Sequence, residues 1–316
     1  MTSSYPTSVN AAAISSAARA LSSGALVGMP TETVYGLAGD AGNPEAVARI
    51  FAAKGRPSFN PLISHIASLQ AAQAEGHLDA RALALAERFW PGPLTLVVPV
   101  ADGARTSELA RAGLGSIGLR VPAHPVALAL LQEFGRPVSA PSANLSGRLS
   151  PTRADDVTRD LGDQVARVLD GGECEAGIES SIVAVLPDEP ARLLRPGAIA
   201  RARLESIVGE LADAGSDTIT SPGQMTSHYA PGAAVRLNAT DIGPGEVLLG
   251  FGGAEGATLN LSPAGDSVEA AANLYRMLRE LDASPATTIA VSPIPATGLG
   301  EAINDRLRRA AAPRSS

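Results

Sequence analysis

The sequence predicts an α/β protein: a large domain on a twisted mixed sheet flanked by helices, followed by a smaller Rossmann-like α/β domain. Three observations carry this. Short apolar runs alternate with stretches of helical period along most of the chain. The 32 glycines and 24 prolines fall between those runs and follow no fixed period. The Ser/Thr/Gly/Pro-rich stretch SDTITSPGQMTSHYAPG has no apolar period and interrupts the alternation, so it reads as a linker. The expected organisation is a catalytic domain over 1–205, a linker or lid over 206–233 and a small C-terminal domain over 234–316.

The elements follow in order. The N-terminal stretch MTSSYPTSVNAAAISSAARALSSG reads as a first helix, because Ser breaks the apolar character and it has no basic region ahead of an apolar stretch as a signal peptide would require. ALVGMPT is a buried strand running into a loop, TETVYGLAGDAG. Asn43 as N-cap, Pro44 at the first helical position and Glu45 in the first turn start a helix that runs to about Ala53. PLISHI is a strand, Asp79 to Phe89 a helix, and LTLVVPV and SIGLRVP are strands. PVALALLQEFG is a helix, PVSAPSANLSG a strand opening into a polar loop, and TRADDVTRDLG a helix capped by Thr152 or Ser150. VARVLDGG, IESSIVAVL and ARLLRPG complete a strand-rich stretch, and ARLESIVGELADAG is a helix before the linker. Beyond it the runs AVRL, EVLLGFGG, ATLNL and TTIAVSPIP, with helices SVEAAANLYRMLREL and GEAINDRLRRAAA, predict a small parallel sheet. The glycines after EVLLG fail the spacing of a dinucleotide fingerprint.

Composition removes several classes of function. A net charge of −7, with no polybasic block, disfavours general coating of nucleic acid. Aromatic content of 3% leaves little material for base-stacking surfaces. One cysteine, Cys174, excludes an internal disulfide framework and points to a reducing, cytoplasmic setting. The four histidines are far apart, so no dedicated metal centre is expected. No run is long and apolar enough to span a bilayer.

Among 25 basic residues only Lys54 is lysine. Where a planar guanidinium serves as well, such a chain would carry arginine, so a compact point charge is needed at this position. Lys54 opens KGRPSFNP, which adds Arg56 and Asn60 at a helix exit. Polar loops at strand ends, where α/β sheets bind ligands, supply further donors. Among them are Thr31, Thr33, Ser142, Ser150, Ser180, Arg120 and Arg195. Taken singly, each Ser or Thr has an ordinary role in turns and caps.

PTETVYGL, KGRPSFNPL, FWPGPLT, SAPSANLSG, GIESSIV and LLRPG, in this order, closely resemble the YrdC-domain proteins. SPGQMTSHYAP and the small domain after it resemble the two-domain members, the threonylcarbamoyl-AMP synthases. The resemblance implies a YrdC-like sheet and an enzyme that condenses L-threonine, bicarbonate and ATP into threonylcarbamoyl-AMP and pyrophosphate, for threonylcarbamoyladenosine modification of tRNA. Lys54, Arg56, Asn60, Ser116, Ser142, Ser150, Arg195, His228 and Tyr229 would then hold ATP, Lys54 and Arg56 being catalytic. Thr33, His65, Arg120, Ala140 and Ser180 would hold threonine. Mg2+ would arrive on ATP, and contact with a transferase complex would be transient. On these grounds Lys54→Ala is expected to cost far more activity than stability. The pattern departs from its family in Gln224 and Thr226, where other members carry basic residues. An RNA-binding module and a carbamoyltransferase accessory are the competing readings. Against the latter, related domains in hydrogenase-maturation proteins are fused to acylphosphatase-like and zinc-finger segments that are not found in this sequence.

Overall fold

The computed structural model describes residues 9–215 and 228–313. Residues 216–227 of the expected linker, with Gln224 and Thr226, lie outside the described residues.

The chain runs α1 (Ala11–Ser22), β1 (Val27–Met29), β2 (Gly36–Asp40), α2 (Pro44–Lys54), β3 (Ile63–His65), α3 (Leu69–Gln73), α4 (Ala80–Phe89), β4 (Leu94–Pro99), β5 (Ser116–Arg120), α5 (Pro125–Phe134) and β6 (Val138–Ser139). It continues through α6 (Ala154–Leu161), β7 (Arg167–Val168), β8 (Ser181–Ala184), β9 (Arg192–Arg195), α7 (Arg201–Val208) and β10 (Ala212–Asp213). These ten strands form one mixed sheet in the order β10-β9-β8-β4-β5-β3-β6-β2-β1-β7. The sheet thus takes in a strand at 212–213, where the sequence reading ran the helix ARLESIVGELADAG into the linker; the helix ends at Val208. Two residues are too few to show a period of two.

The second unit comprises β11 (Ala234–Arg236), β12 (Glu246–Gly250), β13 (Leu259–Asn260), α8 (Ser267–Asp282), β14 (Thr288–Val291) and α9 (Gly300–Ala311). Its four strands are all parallel, in the order β11-β14-β12-β13.

Local chemistry explains most of the boundaries. The Asn43 side chain accepts from the Glu45 and Ala46 amides at the head of α2, and Gly55 ends that helix at φ 60°, a conformation glycine adopts at little cost. TETVYGLAGDAG, expected as a loop, contains β2. Its glycines have low strand propensity, but this strand is buried throughout and needs small residues. A Cβ at Gly39 would lie 2.9 Å from Ile50 Cδ1. The cap of α6 also differs from expectation. Asp156 Oδ2 accepts from the Thr152 and Arg153 amides, while the Ser150 hydroxyl goes to Glu179 instead.

One apolar cluster belongs to both units. Val34, Leu149 and Ile178 of the first pack with Tyr275, Leu278, Ile303 and Leu307 of the second. Gly177 marks the closest approach: at φ 61°, a Cβ there would lie 2.3 Å from the Ala272 carbonyl oxygen on α8.

Candidate active site

Strand pairing gathers distant residues at one edge of the large sheet. β3 and β5 run parallel in a register that puts His65 opposite Arg120. β8 and β9 are antiparallel, so Arg195, at the end of β9, pairs with Ile182 beside the start of β8. The polar segments after β1, α2 and β6 complete a hollow of about 50 Å³. Thr33, Arg56, His65, Arg120, Ala140, Ser142, Ser180, Arg195, His228 and Tyr229 all line it.

The cations are buried; Arg56 and Arg195 are held by neutral oxygens, Arg120 by a carboxylate and a carbonyl. Arg56 donates from Nε to the Asn60 carbonyl at 3.2 Å and from Nη2 to that of Pro61 at 3.1 Å. Burial and the nearby Arg195 pull its pKa down to about 10, against the opposing effect of Tyr229, so it stays charged near neutrality. Arg195 donates to the Ser180 carbonyl at 2.9 Å and to its hydroxyl at 3.1 Å. Arg120 donates from Nη2 to Glu32 at 2.6 Å and from Nε to the Gly92 carbonyl at 3.3 Å, leaving Nη1 outside those bonds.

Lys54 stands behind this wall. Its Nζ donates to the carbonyls of Ser142 and Asn144, each at 2.5 Å, and the residue is 3% exposed. Burial and then Arg56 push its pKa well down, while Asp160 opposes them. It shapes the loop that carries Ser142 rather than facing the hollow, yet its charge is felt by both Arg56 and His228.

Buried polar atoms without protein partners mark where a ligand would be welcome. Among the described residues both side-chain polar atoms of Asn60 lack a partner, as do Nδ1 of His65 and Nδ1 of His228. Burial, then Arg120, takes the His65 pKa down to about 3, so its imidazole is neutral at pH 7. The Thr33 hydroxyl lies 2.8 Å from that of Thr31, and the Ser180 hydroxyl 2.8 Å from that of Thr95.

His228 and Tyr229 close the hollow, 6% and 2% exposed, with ring centroids 4.0 Å apart. Tyr229 has φ 60°, uncommon for an aromatic residue. Four expected residues stand apart from the hollow's lining: Lys54 and Asn60 lie behind it, and Ser116 and Ser150 are further removed. Ser116 borders a separate small cavity at the start of β5, and Ser150 reaches the hollow only through Glu179, to which its hydroxyl donates at 2.6 Å.

Two carboxylates escaped sequence reasoning. Glu32 pairs with Arg120 and also accepts from the Ala123 amide at 3.0 Å. Glu179 lines the hollow and is bound by Arg306 and Tyr275 of the second unit. Both lie inside strings singled out earlier, but only the cation partner, far along the chain, gives either a role.

Among the described residues no group of three His, Cys, Asp or Glu could hold a metal ion. Glu179 is engaged by an arginine and two hydroxyls. No helix among the described residues is long and apolar enough to cross a membrane.

Residues 19–197 match the family profile described as "Telomere recombination", and residues 199–312 match "Threonylcarbamoyl-AMP synthase, C-terminal domain". A threonylcarbamoyl-AMP synthase of Bacillus subtilis is 39% identical over 97% of this chain and 95% of its own length. One of Pyrococcus abyssi is 38% identical over 91% of this chain and 90% of its own. The crystal structure of P. abyssi Sua5 complexed with L-threonine superposes with a TM-score of 0.88 at 35% identity, over 96% of this chain and 95% of that one.

Proposed function

The chain belongs to the threonylcarbamoyl-AMP synthases, enzymes of the α/β type described above, and from that membership we propose that its hollow joins L-threonine, bicarbonate and ATP. The observation that carries this reading is the convergence of Arg56, His65, Arg120 and Arg195 on one buried hollow closed by His228 and Tyr229.

The reaction needs anions brought together. The threonine amine, having lost a proton, attacks the carbon of bicarbonate, and water leaves to give a carbamate. A carbamate oxygen then attacks the α-phosphorus of ATP as the bond to the β-phosphate oxygen breaks and pyrophosphate departs. Arg56 and Arg195 are suited to the charge that builds on the leaving group, the largest contribution expected in such a transfer. Lys54 acts in the same direction, by fixing the Ser142 to Asn144 carbonyls and adding positive potential. Asn60 offers an unused amide, and Ser142 and Ser150 complete the nucleotide side; Ser116 would be reached only by a part of ATP extending beyond the hollow. Magnesium would supply charge neutralisation while bound to the phosphates.

On the amino-acid side, Arg120 meets the carboxylate through a charge-assisted bond. Neutral His65 can hydrogen-bond the threonine hydroxyl, with Thr33, Ala140 and Ser180 closing the pocket. A site that reads a hydroxyl rejects valine far more strongly than an apolar pocket rejects one methylene, so serine is the harder competitor.

With His228 and Tyr229 in place the hollow is far below the roughly 300–1,000 Å³ of ordinary small-molecule sites. The pair therefore has to swing out to admit ATP. Swinging back would exclude water from the mixed anhydride. The product would pass to a transferase complex acting on tRNA, in the cytoplasm.

The deciding experiment is pyrophosphate release by purified protein, with mass-spectrometric detection of threonylcarbamoyl-AMP. Release that requires both threonine and bicarbonate is expected. Release that ignores either substrate refutes the reading.

A further inference from the structure

The second unit reaches the hollow's lining through an ion pair, a hydroxyl and a ring contact. Glu179 is 5% exposed and lines the hollow beside Ser180, so a negative charge sits where anions are to bind. It is held from across the domain seam. Arg306 Nε of α9 donates to Oε2 at 2.7 Å, and the Tyr275 hydroxyl of α8 lies 2.9 Å from both oxygens. Arg306 is 1% exposed, donates to the Pro196 carbonyl at 3.0 Å, and holds its guanidinium carbon 5.0 Å from the centre of the Tyr229 ring. Its second carboxylate partner, Asp305, is also bound by Arg309 at 3.1 Å. Removing Arg306 would therefore leave Asp305 with a cation, whereas Glu179 would keep only Arg195 nearby and two hydroxyls.

We propose that Arg306 is a positioning residue for the nucleotide: it neutralises Glu179 so that the hollow tolerates polyphosphate. This rests on the reading of the hollow as an ATP and threonine site. A buried carboxylate stripped of its arginine repels an incoming triphosphate across the hollow. A unit charge at roughly 8 Å, in a medium of intermediate polarity, weakens anion binding about ten- to thirty-fold. The small domain is then part of the catalytic apparatus, contributing through charge and without touching substrate.

The test uses the full chain and four proteins: wild type, Arg306→Met, Glu179→Gln and the double variant. Initial rates of pyrophosphate release are measured against ATP and against threonine, with melting curves alongside. Arg306→Met is expected to raise the ATP KM about ten- to thirty-fold with a smaller change in kcat. The double variant, with no carboxylate left to neutralise, is expected to return the ATP KM to within about three-fold of wild type, even if it melts lower. A merely structural role would move melting and leave that recovery absent. An unchanged ATP KM in Arg306→Met, or a double variant as impaired as the single one, overturns the proposal. Should Arg306→Met fail to fold, Glu179→Gln alone decides. An ATP KM at or below wild type supports the proposal, and a rise of about tenfold overturns it, because Glu179 would then be serving substrate directly. A wild type without threonine-dependent release would instead defeat the reading of the hollow itself.

Discussion

Arginine could not replace Lys54. Two carbonyl oxygens converge on its Nζ at 2.5 Å inside a site 3% exposed, and a planar guanidinium cannot be fitted between them without moving the loop. The same geometry revises the expectation that Lys54→Ala would harm activity far more than stability. Deleting the ammonium strands two buried carbonyls, a loss of about 2–4 kcal/mol. Lys54→Met is therefore expected to lower both the melting temperature and turnover, measured by calorimetry and pyrophosphate release, and Lys54→Arg is expected to rescue neither. On the threonine side, His65→Phe removes the neutral hydrogen-bonding ring. It is expected to raise the threonine KM about tenfold or more while the ATP KM moves little, because a lost bond to a buried hydroxyl is worth on the order of 1–2 kcal/mol. The two cases separate what the sequence could and could not disclose at this scale. That position 54 differs from the arginine positions was legible from the rarity of lysine. That its ammonium is turned to backbone rather than ligand was not, because its partners lie some ninety positions away. Arg120 is similar: the strand end was readable, but its pairing with Glu32 needed the loop after β1 folded against β5.

Among the elements, the segment ahead of β8 carries the most conflicting demands. It delivers Glu179 and Ser180 to the hollow, and it lets α8 approach the backbone at Gly177. A methyl group at Gly177 would lie 2.3 Å from the Ala272 carbonyl oxygen and would also have to tolerate φ 61°. Gly177→Ala is expected to destabilise the protein by roughly 2–5 kcal/mol, through backbone strain together with overpacking. Faster proteolysis at the seam between the two units should accompany the lower melting temperature; an unchanged melt would mean that α8 can retreat freely. Element existence was largely readable here, since the strands and helices of both units follow apolar period and capping residues such as Asn43 and Asp79. The exceptions have a common cause. β2 is glycine-rich, β10 has only two residues, and α6 is capped by Asp156 from within its own first turn. In each, burial or a tertiary neighbour overrules local propensity.

At the level of the whole molecule, burial makes folding sensitive to acid. His65 and His228 have folded pKa values of about 3 against an ordinary 6.5, because burial, aided by neighbouring cations, penalises the charged ring. Glu179 falls to about 2 from 4.5: burial alone would raise it, but Arg306, Arg195 and Ser150 prevail. All three lowered values carry the same sign. The unfolded chain binds these protons first, so stability is complete above pH 6.5 and declines as pH falls. The histidines act between 6.5 and 3, Glu179 between 4.5 and 2. Denaturant titrations at pH 7.5 and 5.0 are expected to differ, each histidine contributing on the order of 1 kcal/mol per pH unit below 6.5. Equal midpoints would contradict the burial of the two rings.

The shared apolar cluster has a further consequence for anyone dividing the protein. Val34, Leu149 and Ile178 share their apolar cluster with helices of the other unit. A severed first unit would present more of these side chains to water as a greasy scar. An isolated fragment would thus invite self-association, and a soluble single-domain version would need that scar repainted with hydrophilic residues.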